Sequence, residues 1–175
     1  DISDPTNIIE LDRIQSSPGA KVIPHNTHVM GNFLITSYYS DGVTVHDITY
    51  PYNMIEVGNY DTYPTQTTGY DGCWGVFPFF PSGTMVASDR SEGLFVLGPT
   101  YMQAAYLEGT ITNSVTLLPI DFVETQILGH NQVDETNLAG FYATGIATAG
   151  TYDVEYSKVG YFPQTISVNL VNGII

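Results

Sequence analysis

The sequence THVMGNFLITSYYSDGVTVHDITYPYNMIEVGNY at residues 27–60 decides the fold, because parts of it recur on both sides. Its last part, DITYPYNMIE from Asp47, repeats the chain start, DISDPTNIIE from Asp1, with Asp, Ile, Pro, Asn, Ile and Glu in register. Its middle, SDGVTV from Ser40, recurs as SEGLFV from Ser91. The offsets, 46 residues from Asp1 to Asp47 and 51 from Ser40 to Ser91, have the size of one blade of a β-repeat protein. We therefore predict an array of β repeats.

The composition favours strands and turns over helices. The chain of 175 residues is 43% hydrophobic and 13% aromatic, which is enough for one or two small domains with their own cores and excludes general disorder. Tyr (13), Gly (17) and Pro (10) are abundant, whereas stretches rich in Ala, in Leu, or in Lys and Glu are missing. We expect an all-β protein.

The charge of the chain limits its partners. Eighteen Asp and Glu residues against four Lys and Arg give a formal net charge of −14, which repels nucleic acid and anionic membranes. The low Lys content and low pI favour an exported protein, and no run of 18 apolar residues is present. The chain starts at Asp1 without a visible signal peptide, and we interpret it as a piece of a longer protein. The single Cys73 excludes an internal disulfide and is predicted to be a buried thiol beside Trp74.

Residues 27–60 have the pattern of four short strands joined by tight turns. The first strand ends at Val29-Met30, and the others are predicted at 33–39, 43–48 and 55–60. Four strands in this space are the make-up of one propeller blade.

The next blade is incomplete. Three strands are predicted at 74–80, 84–89 and 93–98, after which the sequence changes character. The missing fourth strand would come from residues 8–14, which are predicted as a short strand, or from a segment upstream. Residues 1–98 are therefore predicted to form the end of a β-propeller with one complete blade and two partial ones.

These motifs carry a family resemblance. Asp47-Ile48-x-x-Pro51, the YYSDGVTV run, WGVFPFFPSG from Trp74 and GLFVL from Gly93 resemble the LVIVP-repeat propellers and, more narrowly, the choice-of-anchor B surface proteins of the Bacteroidota. The resemblance covers residues 1–98. It implies a closed ring of several repeats, of which this chain holds the C-terminal end. It also implies type IX secretion, with a sorting domain beyond Ile175.

A second pattern follows a predicted linker at residues 99–105. Strands are predicted at 107–112, 123–128, from 141, at 149–156 and at 165–170, and their spacing of about ten residues indicates a small antiparallel β-sandwich at 106–175. The order of its motifs, including AGTYDVEY and KVGY, is similar to the carboxypeptidase regulatory-like domain, a prealbumin-like sandwich. That family adds a further edge strand, so we expect an open sheet edge that accepts a strand from this protein or from a partner.

The sequence has no catalytic motif, and its candidate sites are binding sites. No nucleophile elbow, phosphate loop or Cys cluster is present, and we expect no catalysis. Many Tyr side chains would fill the space between blades. Three aromatic residues in or beside the loop at 61–72 are candidates for stacking on a sugar or a peptide: Tyr63, Tyr70 and Trp74.

Two groups of residues could hold a metal. Oxygen-bearing side chains cluster before Gly140, at Asn131, Asp134, Glu135 and Asn137. They would suit Ca²⁺, although the cluster is also typical of a solvated acidic loop. His25 and His28, with Asp41 or Asp47, could form another metal site, but residues three apart on an extended segment face opposite sides. Hydrogen-bonding loop histidines are the alternative.

Three functional hypotheses follow. The first is a non-enzymatic, secreted or cell-surface module whose propeller binds a protein or a polysaccharide and whose sandwich is a spacer. The second is an accessory carbohydrate- or peptide-binding part of a secreted hydrolase. The third is a self-assembling extracellular subunit completed by strand exchange between chains. None of them requires a cofactor, apart from the calcium considered above.

Overall fold

The computed structural model describes residues 1–17, 21–65 and 68–175, and in these residues the protein is all-β. Its strands pair antiparallel in four sheets, none of which closes on itself. The chain divides into two compact units, Asp1–Met102 and Gln103–Ile175. The boundary between them lies inside the predicted linker at 99–105. Within the described ranges, no helix has the length and apolar character needed to cross a membrane.

The first sheet of the N-terminal unit has the four strands predicted from residues 27–60. They lie in chain order: β1 (Asn26–Met30), β2 (Phe33–Ser37), β3 (Val43–Asp47) and β4 (Ile55–Tyr60). Strand β2 ends before the predicted residue 39, because Tyr39 adopts a left-handed φ of 44° in the turn to β3. Strand β4 carries a bulge opposite Val45 and His46.

The second sheet has three strands, also in chain order: β5 (Cys73–Phe77), β6 (Met85–Asp89) and β7 (Gly93–Leu97). Strand β5 is shorter than the predicted 74–80, because Pro78 lacks the N–H needed to continue the ladder. The β6–β7 hairpin of this sheet has the same register as the β2–β3 hairpin, displaced by 51 residues. Ser37 pairs with Val43, and Ser88 pairs with Leu94.

The core of this unit lies between the two sheets. Strands β2 and β3 contribute Ile35, Val43 and Val45, and the second sheet contributes Cys73 and others at alternate positions. Each large apolar side chain fully buried here stabilises the fold by roughly 1.5–3 kcal/mol. The remaining buried members are Val76, Met85 and Ala87, with Met30, Phe33, Val57, Phe95, Leu97 and Tyr101 packed against them.

One backbone pair joins the two sheets directly. The N–H of Tyr39 donates to the carbonyl of Cys73 (3.0 Å), and the N–H of Cys73 donates to the carbonyl of Tyr39 (2.8 Å). Gly72 makes this approach possible, since its φ is +99° and a Cβ there would lie 2.3 Å from the Tyr39 oxygen. The hydroxyl of Ser37 adds a bond to the Trp74 carbonyl (3.3 Å).

The prediction of a strand at residues 8–14 is wrong, because these residues form no strand. The Ile9 N–H donates to the Asp1 carbonyl (3.0 Å), and the α-amino group of Asp1 donates to the Ile9 carbonyl (2.5 Å). The residues after Ile9 do not continue this pairing as a strand. A strand needs a partner edge to be stable in water. Ile8, Ile9 and Leu11 are exposed instead.

The C-terminal unit has a four-stranded sheet and a two-stranded sheet, in the orders β10-β9-β12-β13 and β11-β8. The three-residue β10 was not predicted, and the predicted strand at 107–112 begins two residues earlier, at Ala105. The core contains Ala105, Ile127, Val154 and Leu170. The strands are β8 (Ala105–Thr110), β9 (Glu124–Ile127), β10 (Val133–Glu135), β11 (Phe141–Ile146), β12 (Gly150–Ser157) and β13 (Gln164–Leu170).

Two features hold this unit together beside its core. The hydroxyls of Tyr142 and Tyr156 lie 2.9 Å apart, and burial raises the pKa of Tyr142, with the bond to Tyr156 adding to the rise. After β13 the chain returns to the start of β8, where the Gly173 N–H donates to Ala104 (2.7 Å). Strand addition at an open sheet edge of this unit stays a prediction.

We predict that Gly72→Ala destabilises the protein by at least about 3 kcal/mol, because the added Cβ would collide with the Tyr39 carbonyl as well as strain the backbone. Gly83→Ala is the matched control. Gly83 has a φ of +78° but no atom within 4 Å of its Cβ, so strain alone should cost about 1 kcal/mol. Urea unfolding measures both, and equal losses would contradict the role given to the Tyr39–Cys73 pair.

Candidate ligand-binding surface

Four aromatic rings lie together at the β5 edge of the second sheet, and we call them the aromatic cluster: His25, Tyr39, Tyr70 and Trp74. Tyr39 is its centre, nearly perpendicular to Tyr70 (centroids 5.5 Å apart, 84°) and to Trp74 (5.9 Å, 85°). His25 packs against Trp74 (4.2 Å, 39°) and meets Tyr39 edge-on (5.2 Å). Such edge-to-face pairs add about 0.5–1.5 kcal/mol each beyond their buried area.

The backbone pair between the sheets positions the cluster. Tyr39 is one half of that pair, and Trp74 follows Cys73, the other half. The N–H of His25 donates to the Ser37 carbonyl (2.8 Å), which carries the pairing of β1 one residue further. The backbone hydrogen bonds therefore position His25, Tyr39 and Trp74 at or beside strand ends.

The cluster exposes some rings and buries another. Tyr39 is only 6% exposed, whereas Trp74 is 48% and Tyr70 is 62% exposed. A buried ring thus supports two accessible ones, which can present apolar faces to a ligand without large rearrangement.

Arg90 places a cation beside these rings. Its guanidinium carbon lies 5.7 Å from the Trp74 ring centroid, within the range of a cation–π interaction. Its Nη1 donates to the Tyr70 carbonyl (2.5 Å) and lies 3.9 Å from the Asp71 carboxylate. The chain has only four Lys and Arg residues, so this surface combines aromatic rings with a scarce positive charge.

The structure brings together two of the three predicted ligand-binding residues. Tyr70 and Trp74 share the aromatic cluster, but in the part of the chain that is described no ring contact links Tyr63 to either of them. The N–H of Tyr63 instead donates to the Asp61 carboxylate (2.8 Å), a local turn bond. Gln66 and Thr67 of the same predicted loop lie outside the described residues.

The predicted calcium residues do not all lie in one loop, and that part of the prediction is wrong. Asp134 and Glu135 are consecutive residues of β10, so they face opposite sides of the sheet. Asp134 accepts the Ala143 N–H (3.0 Å). Asn137 accepts the N–H groups of two residues in the turn to β11, at 2.9 and 3.2 Å, and Asn131 is exposed.

Calcium binding stays a prediction. Across residues 1–17, 21–65 and 68–175, no group of three His, Cys, Asp or Glu side chains could hold a metal ion.

The two histidines of the other metal hypothesis have aromatic neighbours. His25 belongs to the aromatic cluster, and His28 meets Phe79 edge-on (5.5 Å). The carboxylates considered with them have other hydrogen-bond partners. Asp41 accepts hydroxyl bonds from Ser16 and Ser17, which lie far from it in sequence, and Asp47 accepts the N–H and the hydroxyl of Thr49 in a local turn (2.9 and 2.6 Å).

Sequence reasoning missed His25 and Arg90 as members of the site. Both side chains contact the Trp74 ring through tertiary packing, and no local sequence motif marks either residue. The 51-residue offset does align Arg90 with Tyr39, the turn residue at the centre of the cluster. That alignment was the available signal that Arg90 occupies a special turn position.

Comparison of the chain with protein-family models, with curated proteins and with solved structures finds no match. The geometry of the site therefore carries the functional argument.

We predict that Cys73 resists thiol reagents in the folded protein. Burial raises the pKa of its thiol to about 12, and the Asp89 carboxylate adds to the rise. Because only the thiolate reacts, labelling at pH 8 should be about 10³-fold slower than in urea, where the pKa is about 8.5. A disulfide reagent followed by absorbance measures both rates, and similar rates in the two states would show that the thiol is accessible.

Proposed function

We propose that this chain is a non-enzymatic binding module of an exported, cell-surface protein, and that its aromatic cluster binds a polysaccharide. The observation that carries the proposal is the pair of accessible rings, Tyr70 and Trp74, supported by buried Tyr39 and flanked by Arg90. The cell-surface location rests on the composition and on the family resemblance.

A sugar ring fits the chemistry of this surface. Its C–H faces pack against aromatic rings, and its hydroxyl groups accept hydrogen bonds from a guanidinium group such as that of Arg90. The backbone pair beside Trp74 and the packing of Tyr70 on buried Tyr39 lower the ordering cost of binding. The net charge of −14 opposes polyphosphate ligands and favours a neutral glycan.

The N-terminal unit is proposed to be part of a longer propeller. Val43 and Val45 of β3, in the first sheet, face the second sheet. Their counterparts at the 51-residue offset, Leu94 and Val96 of the second sheet, face away from the first sheet and are exposed. The face that the first sheet buries is therefore the face that the second sheet exposes. A further sheet could cover this exposed face as the second sheet covers the first. The C-terminal sandwich would then be the spacer toward the cell surface.

The test uses the fluorescence of Trp74, the only Trp in the chain. Titration of the full chain with a panel of neutral soluble polysaccharides should give a saturable change in Trp74 emission. Tyr70→Ala should weaken that binding at least about tenfold, which corresponds to about 1.4 kcal/mol. Tyr70 is exposed, so its removal should leave the fold intact and the reporter in place.

Tyr52→Ala is the matched control. Tyr52 is an exposed Tyr whose ring packs on Tyr50, outside the aromatic cluster, so its loss should leave the affinity unchanged. A fluorescence change with proline-rich peptides alone would assign the surface to peptide recognition instead. No saturable change with any polysaccharide, or equal affinities for the three proteins, would overturn the proposed site.

A further inference from the structure

Large apolar side chains are exposed on three loops of the C-terminal unit, and we call them the apolar tip. The loops are 111–123, between β8 and β9, 136–140, between β10 and β11, and 158–163, between β12 and β13. Soluble domains rarely expose so many large apolar side chains in one place without a binding partner. The members, with exposed fractions from 61% for Phe122 to 99% for Val159, are Val115, Leu117, Leu118, Phe122, Leu138, Val159 and Phe162.

The strand pairing brings the three loops to one end of the unit. Thr110, the last residue of β8, is the register partner of Phe141, the first residue of β11. Glu124, the first residue of β9, is the register partner of Ser157, the last residue of β12. Each of the three loops begins or ends at one of these residues, so the loops lie together. Strand β8 begins and β13 ends at the opposite end of the unit.

The tip differs in charge from the rest of the unit. Residues 103–175 contain seven Asp and Glu residues, but the only charged residues in the three loops are Asp121 and Lys158. These two form an ion pair, with 2.8 Å between the Lys158 Nζ and the Asp121 carboxylate. The apolar tip is therefore electrically neutral in an acidic protein.

The loops bond much of their own backbone. The Asn113 side-chain oxygen accepts the N–H groups of Val115 (2.9 Å) and Thr116 (3.0 Å), and the Leu117 N–H donates to the Asn113 carbonyl (2.8 Å). In the second loop the side chain of Asn137 caps two N–H groups in the same way, at 2.9 and 3.2 Å. Unpaired N–H groups are costly in an apolar medium, so capped loops of this kind are suited to leaving water.

Two members of the tip hold a strained backbone. Leu117 has a φ of 60° and Phe122 has a φ of 45°, in the left-handed region that residues with a branched or bulky side chain rarely adopt. The Asn113 bond holds Leu117, and the Phe122 N–H donates to the Thr136 carbonyl (2.8 Å). The loops thus keep two exposed apolar side chains at positions where a polar residue or Gly would cost less, which is typical of a functional surface.

A groove divides the tip. It has a volume of about 450 Å³, and its walls include Ile120 and Phe162 as well as the polar ends of Tyr161 and Lys158. A protein partner would need side chains shaped to this groove and to the separate loops around it. A lipid layer adapts to both, because its chains and headgroups are mobile.

We propose that the apolar tip inserts shallowly into a neutral, zwitterionic lipid surface. The uncharged loops and their capped backbone fit the boundary between headgroups and acyl chains. Lys158 and Tyr161 would lie at the level of the headgroups, where side chains with an apolar body and a polar end are favoured. The net charge of −14 opposes anionic lipids.

This proposal is independent of the proposed glycan binding. The apolar tip lies in the C-terminal unit and shares no residue with the aromatic cluster. Loss of one activity would therefore leave the other to be tested by itself.

The first test is flotation of the full chain with extruded vesicles of phosphatidylcholine. The chain should partition onto the vesicles saturably, and added salt should not weaken the binding, because burial of apolar side chains is not screened. Replacement of about a third of the lipid by phosphatidylserine should weaken it at low salt.

Two tip variants and one control locate the contact. Phe162→Ser removes an exposed ring, and Leu117→Asn introduces a residue that tolerates the left-handed backbone, so circular dichroism should show both folded. Each should lower the partition constant at least about tenfold. Leu128→Asn is the matched control, because Leu128 is an exposed Leu that follows β9 at the opposite end of the unit. Its partitioning should be unchanged.

A fluorescence measurement separates insertion from adsorption. Trp74 is the only Trp of the chain, so a chain with Trp74→Phe and Phe162→Trp reports from the tip alone. Its emission should shift to shorter wavelength on phosphatidylcholine vesicles and should be quenched by lipids brominated on their acyl chains. A ring that remained in water would show neither change.

The outcomes that contradict the proposal are distinct. Absence of binding to phosphatidylcholine, binding only to vesicles with phosphatidylserine, or binding that survives both tip variants would overturn it. Sedimentation equilibrium without lipid covers the alternative of a protein contact. A mass above 19.1 kDa that rises with concentration and is abolished by Phe162→Ser, in a chain that does not bind vesicles, would assign the tip to association between copies instead.

Discussion

The N-terminal unit depends on one short contact, the two backbone hydrogen bonds between Tyr39 and Cys73. They tie the turn after β2 to the first residue of β5, and so set how the two sheets face each other. The contact requires a glycine at position 72 and a left-handed Tyr39. The core between the sheets and the aromatic cluster at their edge both follow from it.

The stacking of the two sheets explains why the unit presents an uncovered side. Two sheets related by a two-fold axis would bury equivalent faces against each other. Here Val43 and Val45 are buried while Leu94 and Val96 are exposed, so each sheet offers a different face to its neighbour. Such an arrangement has no natural end within one pair. An outer strand without a partner, β7, is the edge of the same uncovered sheet.

Much of the strand order could be predicted from the sequence, because short runs of alternating residues bounded by Gly, Asn and Asp turns occur twice at nearly the same spacing. The exceptions have physical causes. Strand β10, VDE, has one apolar residue and no alternation to detect, and its pairing with β9 places two predicted calcium ligands in a ladder. Residues 9–14 have strand sequence but form no strand, and Asp12 instead accepts the Met54 N–H with its side chain (2.8 Å). His25 and Arg90 reach Trp74 through tertiary packing, which a local pattern does not encode.

The aromatic cluster and the joint between the sheets share residues, and this couples binding to stability. Tyr39 supplies a ring to the cluster and a backbone pair to the joint, and Trp74 is adjacent to the other half of that pair. A ligand that packs on Tyr70 and Trp74 binds only when the two sheets are docked, so its binding free energy adds to the stability of the joint. The reverse also holds by linkage, since any substitution that loosens the Tyr39–Cys73 pair lowers the population of the binding-competent surface. The Tyr39–Cys73 pair, which docks the two sheets around their core, therefore also orients the candidate site.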